Sequence, residues 1–110
     1  MGMKLIRRLS QIMASKYKLK TLPKADADVR AALDWFTENR GTKIRDNFFK
    51  DYRRTKTKLQ NSPITRAPFY KDYCKVRFSK FPYKVIYRLK NDVIYIVAVA
   101  HDARDDYWKG

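Results

Sequence analysis

The residues best suited to chemistry gather near the end of this sequence. The run Ala98-Val99-Ala100-His101-Asp102-Ala103-Arg104-Asp105-Asp106-Tyr107-Trp108 switches abruptly from apolar to polar and aromatic. An imidazole can move a proton near neutral pH, and an arginine fork can hold a phosphate. Tyrosine and tryptophan can stack on a nucleic-acid base. Tyr73, Lys75 and Arg77 alternate along an upstream segment and can join this set from a polar strand face. Strand ends and the loops after them commonly carry sites. A plainer reading stands beside it: His101 and Arg104 pair with the neighbouring aspartates, while Tyr107 and Trp108 pack a loose terminus.

Other chemistries lack the residues they need. The chain has one cysteine, Cys74, and one histidine, His101. That removes a disulfide framework and a cysteine-based zinc site, and no metal or other cofactor is expected. Cys74 alternates with Val76 and Phe78 and reads as a packed thiol. Three glycines, Gly2, Gly41 and Gly110, cannot build a phosphate-cradling loop. No two acids are set as a tuned acid–base couple.

The elements that must position these groups follow from periodicity. Residues 16–22 alternate in polarity and predict a strand, ended by Pro23. Val29, Ala32, Leu33 and Phe36 recur at helical spacing and predict a helix over 25–40, closed by Gly41. Thr42 is the expected cap of a second helix with the inner stripe Ile44, Phe48, Tyr52, Thr55 and Leu59. Lys50, Arg53, Arg54, Lys56 and Lys58 fall on its outer side. Asn61-Ser62-Pro63 breaks that helix. The period then becomes two over 73–79 and 83–90. Asn91-Asp92 makes a tight turn, and 93–100 is apolar on both faces, as in a strand covered on both sides. The order is β-α-α-β-β-β. The predicted fold class is α+β, with a helical hairpin packed on a small, mainly antiparallel sheet.

Charge narrows the partners. The 110 residues carry 26 Lys+Arg against 11 Asp+Glu, a net charge of +15. Lys4, Arg7, Arg8, Lys16, Lys18 and Lys20 precede residue 23 with no acid among them. Such an imbalance points to a polyanion or an acidic protein as partner. Residues 1–15 read as a basic amphipathic N-terminal extension, and residues 16–110 as one domain. No apolar run approaches the ~18 residues that would span a bilayer. No membrane partner is expected, and the setting is read as cytoplasmic.

The segments Asp72 to Tyr87, Asp92 to His101 and Arg104-Asp105, with the strand and helical hairpin before them, resemble the RelE/ParE superfamily of bacterial type II toxins. The resemblance covers about residues 16–108 and implies a growth-inhibiting toxin neutralised by a cognate acidic antitoxin. That partner is expected to fold along the basic sheet and helical surfaces. The superfamily holds two mechanisms: ParE-like members poison DNA gyrase by binding, and RelE-like members cut messenger RNA on the ribosome. Where RelE-like members carry a strand arginine, this chain has Ser79. Asp102 stands in place of a second arginine, and Tyr107 or Trp108 approximates a terminal tyrosine. The His-x-x-Arg-Asp tail is more similar to ParE and plasmid-stabilisation members, so the reading leans to gyrase inhibition. The alternative is a ribosome-dependent endoribonuclease, with His101, Arg104, Arg77 and Tyr107 as catalytic residues. Lys75, Arg77, Lys84, Arg53, Arg54 and Trp108 are the residues expected to bind the target or nucleic acid.

Overall fold

The computed structural model describes residues 17–61, 68 and 71–103. The N-terminal extension 1–15, Arg104, Tyr107 and Trp108 lie outside the described residues. The elements run β1 (Lys18–Thr21), α1 (Pro23–Arg40), α2 (Thr42–Asn61), β2 (Cys74–Arg77), β3 (Tyr83–Lys90) and β4 (Val93–His101). The sheet order is β1-β4-β3-β2, with β1 parallel to β4 and the other pairs antiparallel. Both helices cover one face.

Local chemistry sets the boundaries. Pro23 stands at the first turn of α1, where a missing N–H costs nothing, so the helix begins two residues earlier than expected. Gly41 has φ 91 and ψ 167, an angle pair that favours glycine. Its carbonyl accepts the Arg45 N–H at 3.1 Å, so it also precedes the first turn of α2. Gly41, not Thr42, therefore occupies the cap position, and a single residue joins the helices. Asn91 takes a positive φ of 57 in the two-residue hairpin between β3 and β4.

The core lies between the helices and the sheet. Ala25, Val29, Ala32 and Phe36 enter it from α1, and Phe48, Tyr52, Thr55 and Leu59 from α2. Ile44, also expected in the inner stripe, is exposed and lines a surface groove with Trp35 and Phe81. Phe48 is the hub of an aromatic cluster, with ring centroids 4.9 Å from Phe36, 4.8 Å from Tyr83 and 5.3 Å from Phe78. Burying a ring of this size stabilises by roughly 1.5–3 kcal/mol. Cys74 is buried among these groups, as its alternation predicts.

A β-bulge sets the faces of the last strand. Tyr87 pairs with Ile96 and Ile86 with Ala98, leaving Val97 as an extra residue. Ile94 and Ile96 therefore face the helices before the bulge, and Val99 does so after it. The second face is buried at its centre as well, in keeping with an apolar 93–100: Ile86, Ala98 and Ala100 are at most 3% exposed, and Ile86 and Ala98 cluster with Tyr73 and Val97.

Side chains tie the layers together. Asp51, on α2, is buried, and its carboxylate accepts the backbone N–H groups of Ser79, Lys80 and Phe81 at 3.2, 2.8 and 3.0 Å. A buried charge persists when its oxygens are satisfied in this way. Asp28, on α1, accepts the Val99 N–H at 3.0 Å, where β1 has already ended and β4 has a strand neighbour only on its β3 side. Gln60 donates to the Tyr17 carbonyl at 2.8 Å and fixes the end of α2 to the start of the sheet.

Candidate functional site

Three surfaces carry the candidate residues. On the face of the sheet away from the helices, the register aligns Arg77 with Lys84 and Ala100, and Lys75 with Ile86 and Ala98. Lys20, Tyr95 and Arg88 form a further row. This face is basic, but acids have entered it. Arg77, 69% exposed, is ion-paired with Asp102. Arg88 donates to Asp72 at 2.7 Å and lies over the Tyr73 ring. The hydrogen bond from Arg88 holds the Asp72 carboxyl below its ordinary value, and Asp72 in turn raises the Arg88 guanidinium.

Lys84 departs from the sequence analysis, which puts it on a target-binding surface. It is only 2% exposed. It sits on an interior strand, and the chain leaving β4 turns over it, so its Nζ donates to the Asp102 carbonyl at 3.4 Å. Its ammonium supports the turn after His101 and does not reach outward.

His101 lies on the opposite face. Its ring meets Tyr83 edge-on at 5.3 Å, and its Nδ1 accepts the Ala103 N–H at 3.1 Å. That bond leaves the proton of a neutral ring on Nε2. The histidine stands at the rim of an open apolar groove of about 730 Å³ lined by Trp35, Phe36, Ile44, Phe81 and Tyr83. Trp35 is 48% exposed there. The structure thus brings Arg77 together with Lys84 and Asp102 but puts Arg77 and His101 on opposite faces of the sheet. Arg53 and Arg54 are far from both. They project from the outer side of α2 and line a shallow hollow of about 280 Å³ with Lys50 and Thr57.

Sequence reasoning missed Asp51, Asp102 as the Arg77 partner, and Trp35. Asp51 gives no signal of its role, since its acceptor work is done 28–30 residues away. Trp35 has one: it lies outside the inner stripe of α1, where a large ring needs a reason to face solvent. Among the described residues no three His, Cys, Asp or Glu side chains gather to hold a metal ion. No described helix is long and apolar enough to cross a membrane.

Comparisons fix the family. Residues 19–106 match the family described as the ParE toxin of the type II toxin–antitoxin system, parDE. Among solved structures, the chromosomal ParDE toxin–antitoxin system of P. aeruginosa has a similar chain. It superposes with a TM-score of 0.71 at 20% identity, covering 79% of this chain and 97% of that one. A chain of the intact E. coli RelBE toxin–antitoxin complex aligns with a TM-score of 0.52 at 17% identity, over 80% of this chain and 99% of that one. At these identities the likeness speaks to fold, and it agrees with the β-α-α-β-β-β order read from sequence. No curated protein matches by sequence. The match over most of the chain, carried by the same two helices on a four-stranded sheet, makes this chain a member of the ParE toxin family of type II toxin–antitoxin systems.

Proposed function

We propose that the chain arrests growth by binding DNA gyrase, and that an acidic antitoxin encoded beside it holds it inactive. One observation carries the choice of target. Arg77 and His101, the described members of the candidate nuclease set, stand on opposite faces of the sheet, and Arg77 is neutralised by Asp102. A phosphate held by Arg77 is therefore out of reach of the His101 imidazole. Inhibition by binding needs no such convergence. The antitoxin finds two complementary features, the exposed cations Lys20, Lys75 and Arg77 of the sheet and the apolar groove at Trp35. A partner that orders on them gains charge complementarity and buries apolar surface together. The site of action on this reading is cytoplasmic.

The second reading is a ribosome-dependent endoribonuclease. Its support is His101 itself, exposed and with Nδ1 already engaged, so that Nε2 can give or take a proton at the groove rim. Induction in growing cells separates the two. Gyrase-dependent DNA breaks with intact transcripts are expected. New A-site cuts in messenger RNA, mapped by primer extension and abolished by His101→Ala, would instead establish the nuclease. Unimpaired growth on induction would defeat both.

A further inference from the structure

The outer side of α2 differs from every other charged surface described above. Lys43, Lys50, Arg53, Arg54 and Lys58 are all exposed along it. Among the described residues none of the five has an ion-pair partner. The single acid on this side, Asp46, is held by Arg45 at 3.0 Å. Lys56 lies at the edge of the array with its Nζ 4.6 Å from the centre of the Tyr52 ring, and burial lowers its pKa. Five uncompensated cations on one helix face repel one another. Nothing in the fold requires them, since α2 is already seated by Phe48, Asp51, Tyr52 and Leu59 on its other side.

The array has a length and a composition. From Lys43 to Lys58 it runs about 22 Å along the helix axis. Asn47 and Thr57 lie between the cations, and Asn61 follows the last of them. Arginine, lysine, asparagine and threonine are the side chains that contact nucleic-acid phosphates. The exposed apolar residues of α2 lie on its flanks, Ile44 toward the groove at His101 and Phe49 toward Tyr52. A peptide that folds on binding draws much of its affinity from apolar burial, which this stripe does not offer. A regular line of phosphates asks only for spaced cations and hydrogen-bond donors.

We propose that the outer face of α2 docks the phosphate backbone of duplex DNA. The cations of this face meet successive phosphates and displace counterions, and binding is largely independent of base sequence. The proposal goes beyond gyrase inhibition and is tested without gyrase, so that either can fail alone.

The test is fluorescence anisotropy of the full-length chain with labelled 24-base-pair DNA duplexes of different sequence, across salt. Engaging four phosphates gives a log–log salt slope of about −3.6, which is about a hundredfold loss of affinity between 50 and 200 mM. A chain of this charge attracts any polyanion, so two variants with equal charge loss decide the matter. Lys50→Gln/Arg53→Gln/Arg54→Gln is expected to weaken binding at least tenfold more than Lys18→Gln/Lys20→Gln/Lys75→Gln, and to flatten the slope by about 2.7. The charge-preserving Lys50→Arg/Arg53→Lys/Arg54→Lys should bind within about twofold of the unaltered chain, which guards against a folding artefact. Equal losses in the two neutralised variants would overturn the proposal, as would a slope for the unaltered chain flatter than about −2. Tighter binding of duplex RNA than of DNA would also overturn it. So would poly-glutamate binding with the same affinity and the same dependence on Lys50, Arg53 and Arg54.

Discussion

Two basic surfaces of this molecule look alike in sequence and differ in structure. The sheet face away from the helices carries Lys18, Lys20, Lys75, Arg77 and Arg88, and the outer face of α2 carries Lys43, Lys50, Arg53, Arg54 and Lys58. On the sheet, Asp102 and Asp72 take up Arg77 and Arg88. On α2, none of the five cations has such a partner among the described residues. A net charge of +15 does not distinguish these cases. What an incoming polyanion meets is the charge left after local pairing, and that is set by which loop returns an aspartate to which face.

The contrast can be attacked from the inside outward. Phe48→Ala removes the hub under α2 and is expected to cost about 4 kcal/mol in urea unfolding. The outer-face variant Lys50→Gln/Arg53→Gln/Arg54→Gln should stay within about 0.5 kcal/mol of the unaltered chain. If both destabilise alike, the outer face is structural and the division fails. Asp51→Ala removes the shared buried acceptor of three backbone N–H groups and is expected to cost about 2 kcal/mol. Hydrogen exchange should rise first at Ser79, Lys80 and Phe81, and unchanged protection there would sink the anchoring role.

Smaller effects sharpen the contrast on the sheet. Asp102→Asn frees Arg77 and should make the sheet face resemble α2, with DNA affinity rising about threefold at 100 mM salt. Stability should fall by less than about 1 kcal/mol, because the pair is largely exposed. The smallest change is in titration. Asp72 lies below its ordinary 3.8 because of Arg88, so its folded value is lower than its unfolded one. The pair's contribution is therefore present above 3.8 and fades as pH falls through the lowered value. Arg88→Gln should return the carboxyl toward 3.8 in an NMR titration.

The fold was largely legible because periodicity carries it. The stripe from Phe48 to Leu59 and the alternation of Cys74, Val76 and Phe78 each encode one buried face, and the order of elements follows. The site was less legible, for one reason above all. Strict alternation from Ile94 and Ile96 would put His101 on the face of Arg77, away from the helices. The extra residue Val97 reverses every side chain after it and sends His101 to the helix side. A bulge of one residue leaves no trace in an apolar run. Lys84 was misplaced for a related reason: its polarity marks its face, but its burial depends on where the chain turns after His101.

Gly41 carries a consequence of another kind. A side chain built there meets nothing within 4 Å, so the position selects against handedness and not against size. Its φ of 91 and ψ of 167 are, in mirror image, the ordinary extended angles of any residue. A D-amino acid would hold them at rest and an L-amino acid would hold them under strain. The joint between the two helices is thus fixed by chirality, at the one point where an achiral residue lets the chain pass without choosing.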